Sequence, residues 1–173
     1  MSRLSIPQKE RLAQIVRVPL VSFLMNLAIK LVVARHRVGV TVVCFDRDER
    51  ILLLRHVFHP FSRWDLPGGW LDRHESPADC ALRELSEETE LTARLGPVIH
   101  VTREPVPAGI GITYLARLSS EGKEPRLSSE ILEAAWFAPG ELPGGLRPIT
   151  RAIIEAAVQQ LSFWLTTEQT PDV

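Results

Sequence analysis

"RELSEETEL", residues 83–91, places four carboxylates, Glu84, Glu87, Glu88 and Glu90, within nine residues. The residues before it predict a helix. Ser76 is an N-cap, Pro77 suits the first helical position, and Asp79 at N3 makes a short capping box. Ala78, Ala81, Leu82 and Leu85 then recur at i, i+3, i+4 and i+7, giving the face that packs on a core. The acids therefore fall towards the C-terminal end of that helix, where the backbone dipole disfavours anions. Glu84 and Glu88 are an i, i+4 pair and Glu84 and Glu87 an i, i+3 pair, each destabilising by roughly 0.2–0.5 kcal/mol. Nothing in this arrangement stabilises the helix. Either the acids form a solvated face, or a cation sits in front of them.

The rest of the chain argues that this charge is local. Its 173 residues are enough for one domain with a sizeable core. The net charge of −1 provides no global field that would draw the protein to nucleic acid. Cys44 and Cys80 fall within regular elements and make no disulfide framework, which points to a reducing, cytoplasmic setting. "VPLVSFLMNLAIKLVVA", residues 18–34, follows a basic leader and resembles a signal anchor. It falls short of the roughly 20 apolar residues that span a bilayer, however, and contains Asn26 and Lys30. Ser22, Asn26 and Lys30 form one narrow polar stripe, as on a helix buried on most sides. The expectation is a long N-terminal helix that packs on its own domain or across a homodimer, with a homodimer the default, and membrane association is not favoured.

Residues 38–163 read as one α+β domain, between an N-terminal helical extension, residues 1–37, and a tail, residues 164–173. "VGVTVVCF" and "ILLLRHV" are β-branched and apolar runs on either side of "DRDER", a hairpin pattern. "FHPFSRWDLPGGWLDRHES" is rich in turn residues and reads as loop with one short strand. After the acidic helix, "PVIHVT" and "GITYLARL" read as strands joined by the loop "REPVPAGI". "ILEAAWFA" is a further strand, and residues 148–162 are an amphipathic helix.

At about 100° per residue, Glu84, Glu87 and Glu88 project within one arc beside the packing face, and Glu90 points elsewhere. Three converging carboxylates suit a hard divalent cation such as Mg²⁺, which takes oxygen ligands. "PGGW", residues 67–70, lies just upstream, and its glycines allow a main-chain path closed to other residues. A carbonyl there could face the same ion.

The segment "GWLDRHESPADCALRELSEETEL", Gly69 to Leu91, resembles the Nudix box. Gly69, Glu75, Arg83, Glu84, Leu85, Glu87, Glu88 and Leu91 all match it in identity and spacing. One position departs, since the family's last glycine is Glu90 here. The resemblance implies a Nudix fold, a mixed β-sheet sandwiched between helices. It also implies a Mg²⁺-dependent pyrophosphohydrolase, with Mn²⁺ as the other candidate ion. By the same resemblance Glu84, Glu87, Glu88 and Gly69 hold the metal, Arg83 orients the glutamates, and Glu75 supports the turn into the helix. Glu84 is the first candidate to deprotonate or orient water, and Glu130 and Glu133 are later-loop candidates. Arg55 and Arg63 flank the site and could meet phosphate. The implied substrate is a small nucleoside diphosphate linked to another group. Pro105 and Pro107, beyond the box, tilt the expectation towards ADP-ribose or a sugar nucleotide ahead of nucleoside triphosphates. The competing reading is a Nudix-fold module that senses a nucleotide with little turnover, favoured by Glu90 and the N-terminal helix.

Overall fold

The computed structural model describes residues 19, 23, 37–57, 63–105, 108–119 and 123–168. The chain divides into Met1–His36 and Arg37–Val173. Of the first unit, only Pro19 and Phe23 are described, both helical. The expected helix over residues 18–34 otherwise lies outside the described residues, as do His59 and Pro107. Among the described residues, no helix is long and apolar enough to cross a membrane.

The second unit is built on a seven-stranded mixed sheet. Its strands are β1 (Arg37–Phe45), β2 (Ile51–His56), β3 (Trp64–Asp65), β4 (Gly68–Trp70), β5 (Ala93–Pro105), β6 (Ala108–Leu118) and β7 (Ile131–Phe137). Helix α1 spans Pro77–Thr89 and α2 spans Pro148–Glu168. The hairpin expected around "DRDER" forms. Asp46 Oδ1 accepts from the Asp48 and Arg50 N–H groups, closing the turn. β1 and β2 meet at Phe45 and Ile51, and higher up β1 pairs instead with β4, from Gly39 opposite Trp70 to Thr41 opposite Gly68. β1 also runs parallel to β6 from Arg37–Gly109 to Phe45–Arg117, and β2 runs antiparallel to β7.

Strand alternation sorts the side chains into two cores. Val40, Val42, Cys44, Leu52 and Leu54 pack under α1 against Ala81 and Leu85. Val43, Phe45, Ile51, Leu53 and Leu115 pack under α2 against Ile153, Ile154, Ala157 and Leu161. Each fully buried Leu or Ile contributes roughly 1.5–3 kcal/mol relative to exposure. A polar tie fixes the start of α2. Buried Asp65 accepts from the Thr150 hydroxyl at 3.0 Å and pairs with Arg147 at 2.9 Å.

Three sequence expectations need correction. The segment "REPVPAGI" is mostly strand rather than loop, because β5 and β6 stay paired out to Pro105 opposite Ala108. β5 ends the run of paired strands, and a proline is tolerated at such an edge. Two short strands, not one, arise from the Gly- and Pro-rich stretch before α1. Finally, α2 continues to Glu168, so the expected tail at residue 164 is still helix. Trp164 and Leu165 explain the extension, since both pack on the α2-side core.

Candidate active site

The capping expected for α1 is present. The Ser76 hydroxyl oxygen accepts from the Asp79 N–H at 3.1 Å, and Pro77 opens the first turn. The same turn brings Glu75 to the helix, where it accepts from the Asp72 N–H at 3.2 Å and pairs with Arg83.

Arg83 gathers the acids. Its Nε donates to Glu75 Oε1 at 2.8 Å and its Nη2 to Glu75 Oε2 at 3.0 Å. Nη1 reaches both Glu84 Oε1, at 2.9 Å, and Glu87 Oε2, at 3.0 Å. Nη2 also donates to the Trp70 carbonyl at 3.3 Å, tying helix to β4. The guanidinium holds the Glu75 carboxyl down at about 2, and the surrounding acids raise Arg83 further above its ordinary value.

The three metal-ligand candidates sit in different environments. Glu87 is exposed. Glu84 is half-buried against Gly69, and burial raises its carboxyl above the ordinary range despite the opposing pull of Arg83. A Cβ at Gly69 would collide with the Glu84 carboxylate, so glycine there is a requirement of the site. Gly68, at φ +152°, leaves no room for a Cβ either, because Val40 O and Thr41 Cα crowd the position.

Glu88 departs from its expected place beside the packing face. It lies on that face, one turn beyond Leu85 and two beyond Ala81, and is 8% exposed. Its Oε2 accepts from the Gly68 N–H at 3.0 Å, and its Oε1 lies 3.5 Å from His56 Nδ1. Burial, then the charges of Glu84, Glu130 and Glu87, push its carboxyl up to about 8, against the lowering effect of the Gly68 N–H. His56 had no visible role in the sequence beyond "HVFH". The signal that could have found it is alternation, since His56 continues the row of Leu52 and Leu54 that faces α1.

Glu90 adopts the left-handed conformation at the end of α1, with φ +53°, and its N–H donates to Ser86 O. It keeps the backbone path that the missing glycine would take. The connection from β6 to β7 covers this helix end. Lys123 Nζ donates to the Glu90 carbonyl at 2.6 Å, the Arg126 N–H to Thr89 O at 2.8 Å, and the Ser128 N–H to Glu88 O at 3.2 Å.

Glu130 follows that connection. It is exposed, and close enough for its charge to act on Glu88. Glu133 is elsewhere. It pairs with Arg55 at 2.7 Å across β2 and β7, and Arg55 lies over the Trp64 ring at 5.9 Å. Arg55 follows Ile51 and Leu53 onto the α2 side of the sheet, opposite Glu88. Arg63 is exposed at the start of the β3 segment. Arg83, Glu84, Glu87, Glu88 and Gly69 thus come together with Glu130, whereas Arg55 and Glu133 do not join them.

Among the described residues, no three His, Cys, Asp or Glu side chains converge as a ready-made cation site. The donor set nevertheless fits a hard divalent ion. It is all oxygen, it is crowded with like charge, and Glu88 is held in a state that a nearby cation would relieve.

Comparisons with known proteins bear on the family and the fold. A family model described as the NUDIX domain matches residues 35–157. The chain belongs to the Nudix family of hydrolases. A Bacillus subtilis protein provisionally named an 8-oxo-dGTP diphosphatase is 31% identical over 105 residues, covering 61% of this chain and 68% of that protein. An ADP-ribose pyrophosphatase of Methanocaldococcus jannaschii is 30% identical over 101 residues, covering 57% of this chain and 60% of that one. The solved structure of a MutT NUDIX hydrolase from Burkholderia pseudomallei superposes with a TM-score of 0.57 at 28% identity, covering 71% of this chain and 98% of that one.

Proposed function

We propose that this protein is a Mg²⁺-dependent pyrophosphohydrolase acting on a nucleoside diphosphate linked to another group, with Mn²⁺ as an alternative ion. The observation that carries the proposal is Arg83, which binds Glu75, Glu84 and Glu87 with one guanidinium while Glu84 abuts Gly69. Glu84, Glu87 and Glu88, with the Gly69 backbone, would hold the ion. Bound there, a divalent cation supplies charge neutralisation of the diphosphate and a more acidic water.

The protein's own groups do the rest. Arg83 fixes the plane of the Glu84 carboxylate through Oε1, and Oε2 is the oxygen assigned to take the proton of the attacking water. The raised pKa of Glu84 makes it a stronger base than an ordinary carboxylate. Glu130 is the second candidate for orienting that water. Arg63 is retained as a phosphate contact, whereas Arg55, on the α2 side of the sheet and paired with Glu133, is not.

The names of the two relatives divide between ADP-ribose and a nucleoside triphosphate. Pro105, beyond the box, favours the ADP-ribose or sugar-nucleotide class. Nothing in the geometry of Glu90 favours a sensing module, because the helix end is intact. The setting proposed is a homodimer in a reducing cytoplasm, consistent with two free, buried cysteines whose thiols burial pushes up to about 12. A substrate screen with Mg²⁺ and Mn²⁺, products identified by mass and Glu87→Gln as control, tests the activity. Turnover of one class, lost in Glu87→Gln, is expected. No turnover of any diphosphate with either ion would overturn the reading.

A further inference from the structure

We propose that His56 is the positioning residue for Glu88, holding one carboxylate oxygen while the Gly68 N–H holds the other. The inference rests on the reading of Glu88 as a metal ligand.

Three independent features place His56 there. Strand alternation along β2 turns Leu52, Leu54 and His56 to the α1 side, so the histidine ends an otherwise apolar row. On α1, Glu88 ends the corresponding row of Ala81 and Leu85. Two buried apolar stripes therefore finish in one polar pair at the site. The third feature is a bulge. β7 sets Glu133 opposite Arg55 but Ile131 opposite His56, so one extra residue, Leu132, is accommodated and left 55% exposed. A bulge re-aims side chains and is common beside active sites. Here it turns Ile131 into the α1-side core, and the Val57 N–H closes the end of the strand on the Glu130 carbonyl at 2.8 Å. β2 is thereby anchored one residue beyond His56.

The consequence is a carboxyl group approached at both oxygens from two different strands: the Gly68 N–H donates to Oε2 at 3.0 Å, and His56 Nδ1 stands 3.5 Å from Oε1. A side chain with three rotatable bonds thus has its orientation narrowed before any ion arrives. Outer-shell partners of this kind typically contribute about 10–100-fold to metal affinity.

The test uses the full chain, stripped of metal, with Mn²⁺ as the probe and calorimetric titration as the readout beside activity. His56→Leu removes the polar contact and keeps the apolar row, and His56→Asn returns a donor near the position of Nδ1. For His56→Leu the expected result is Mn²⁺ binding weakened about tenfold or more. The Mn²⁺ concentration for half-maximal turnover should rise in step, with substrate KM at saturating metal unchanged. His56→Asn should recover most of both. A purely structural histidine would instead lower the melting temperature, leave Mn²⁺ affinity unchanged in whatever remains folded, and show no rescue by asparagine. That result overturns the inference alone. If the wild-type protein itself binds no Mn²⁺ and cleaves no diphosphate, the functional reading fails and takes the inference with it.

Discussion

Glu88→Gln should stabilise the metal-free protein, and only on the alkaline side. The Glu88 carboxyl lies between the Gly68 N–H and His56, out of water, with Glu84, Glu130 and Glu87 as charged neighbours. Its folded-state value of about 8 stands against an ordinary 4.5. The folded protein therefore binds this proton more tightly than the unfolded chain does. The sign follows: stability is undiminished below the unfolded value and falls as pH rises between about 4.5 and about 8. The full shift corresponds to a ceiling of about 5 kcal/mol, and water entry and side-chain relaxation bring the expected loss to on the order of 3 kcal/mol. For a domain of this size that is on the order of 10 °C in Tm. Glutamine keeps an oxygen for the Gly68 N–H and carries no charge. Melting curves of both proteins in chelator, from about pH 5 to about pH 8.5, are the assay. The two should melt together at the acid end and separate as pH rises, with the variant higher. Adding Mg²⁺ to the wild type should close the gap, because an ion bound only to the folded state stabilises it. Parallel curves, or a variant less stable at alkaline pH, would refute the claim that Glu88 is a strained, buried acid.

Gly69→Ala should separate activity from stability. The new methyl meets the far end of a flexible side chain, the Glu84 carboxylate, which can swing away at a stability cost of about 1 kcal/mol or less. Activity should fall about 100-fold, because the displaced carboxylate is the proposed base; near-normal kcat with an intact fold would remove Glu84 from that role. Glu90→Gly should raise stability in urea by about 0.5–1 kcal/mol, since glycine relieves the left-handed backbone and the exposed pairs with Lys123 and Arg126 contribute little. A net loss would show that those pairs do more than latch an already closed helix end.

The start of α1, its packed face and the acidic set were legible because they are local. Capping, helical period and box spacing all lie within 23 residues, Gly69 to Leu91. What the sequence hid was decided by distant partners. "REPVPAGI" carries two prolines and one glycine, which signal a loop, yet pairing along the hairpin overrides the signal. Trp164 reads as frayed until the core it packs on is known. Glu88 is instructive in a different way. Its helical angle borders both the apolar face and the acidic arc, and only the row ending in His56 decides that it is buried. Glu130 and Glu133, three residues apart, were equivalent candidates, and a one-residue bulge sent them to different surroundings.

The parallel pairing of β1 with β6 also constrains how the chain can form. Arg37 meets Gly109 and Phe45 meets Arg117, so the central strand waits for a partner 72 residues downstream. Ile51 of β2 likewise waits for Phe137. Contacts this distant in sequence make folding slow, because loop closure must precede the stabilising pairs. During synthesis α1, with its crowded acids, is complete well before β6 and β7 exist to fix the strands beneath it. The Val- and Leu-rich β1 and β2 are then exposed, and the nascent chain is most open to aggregation in that interval.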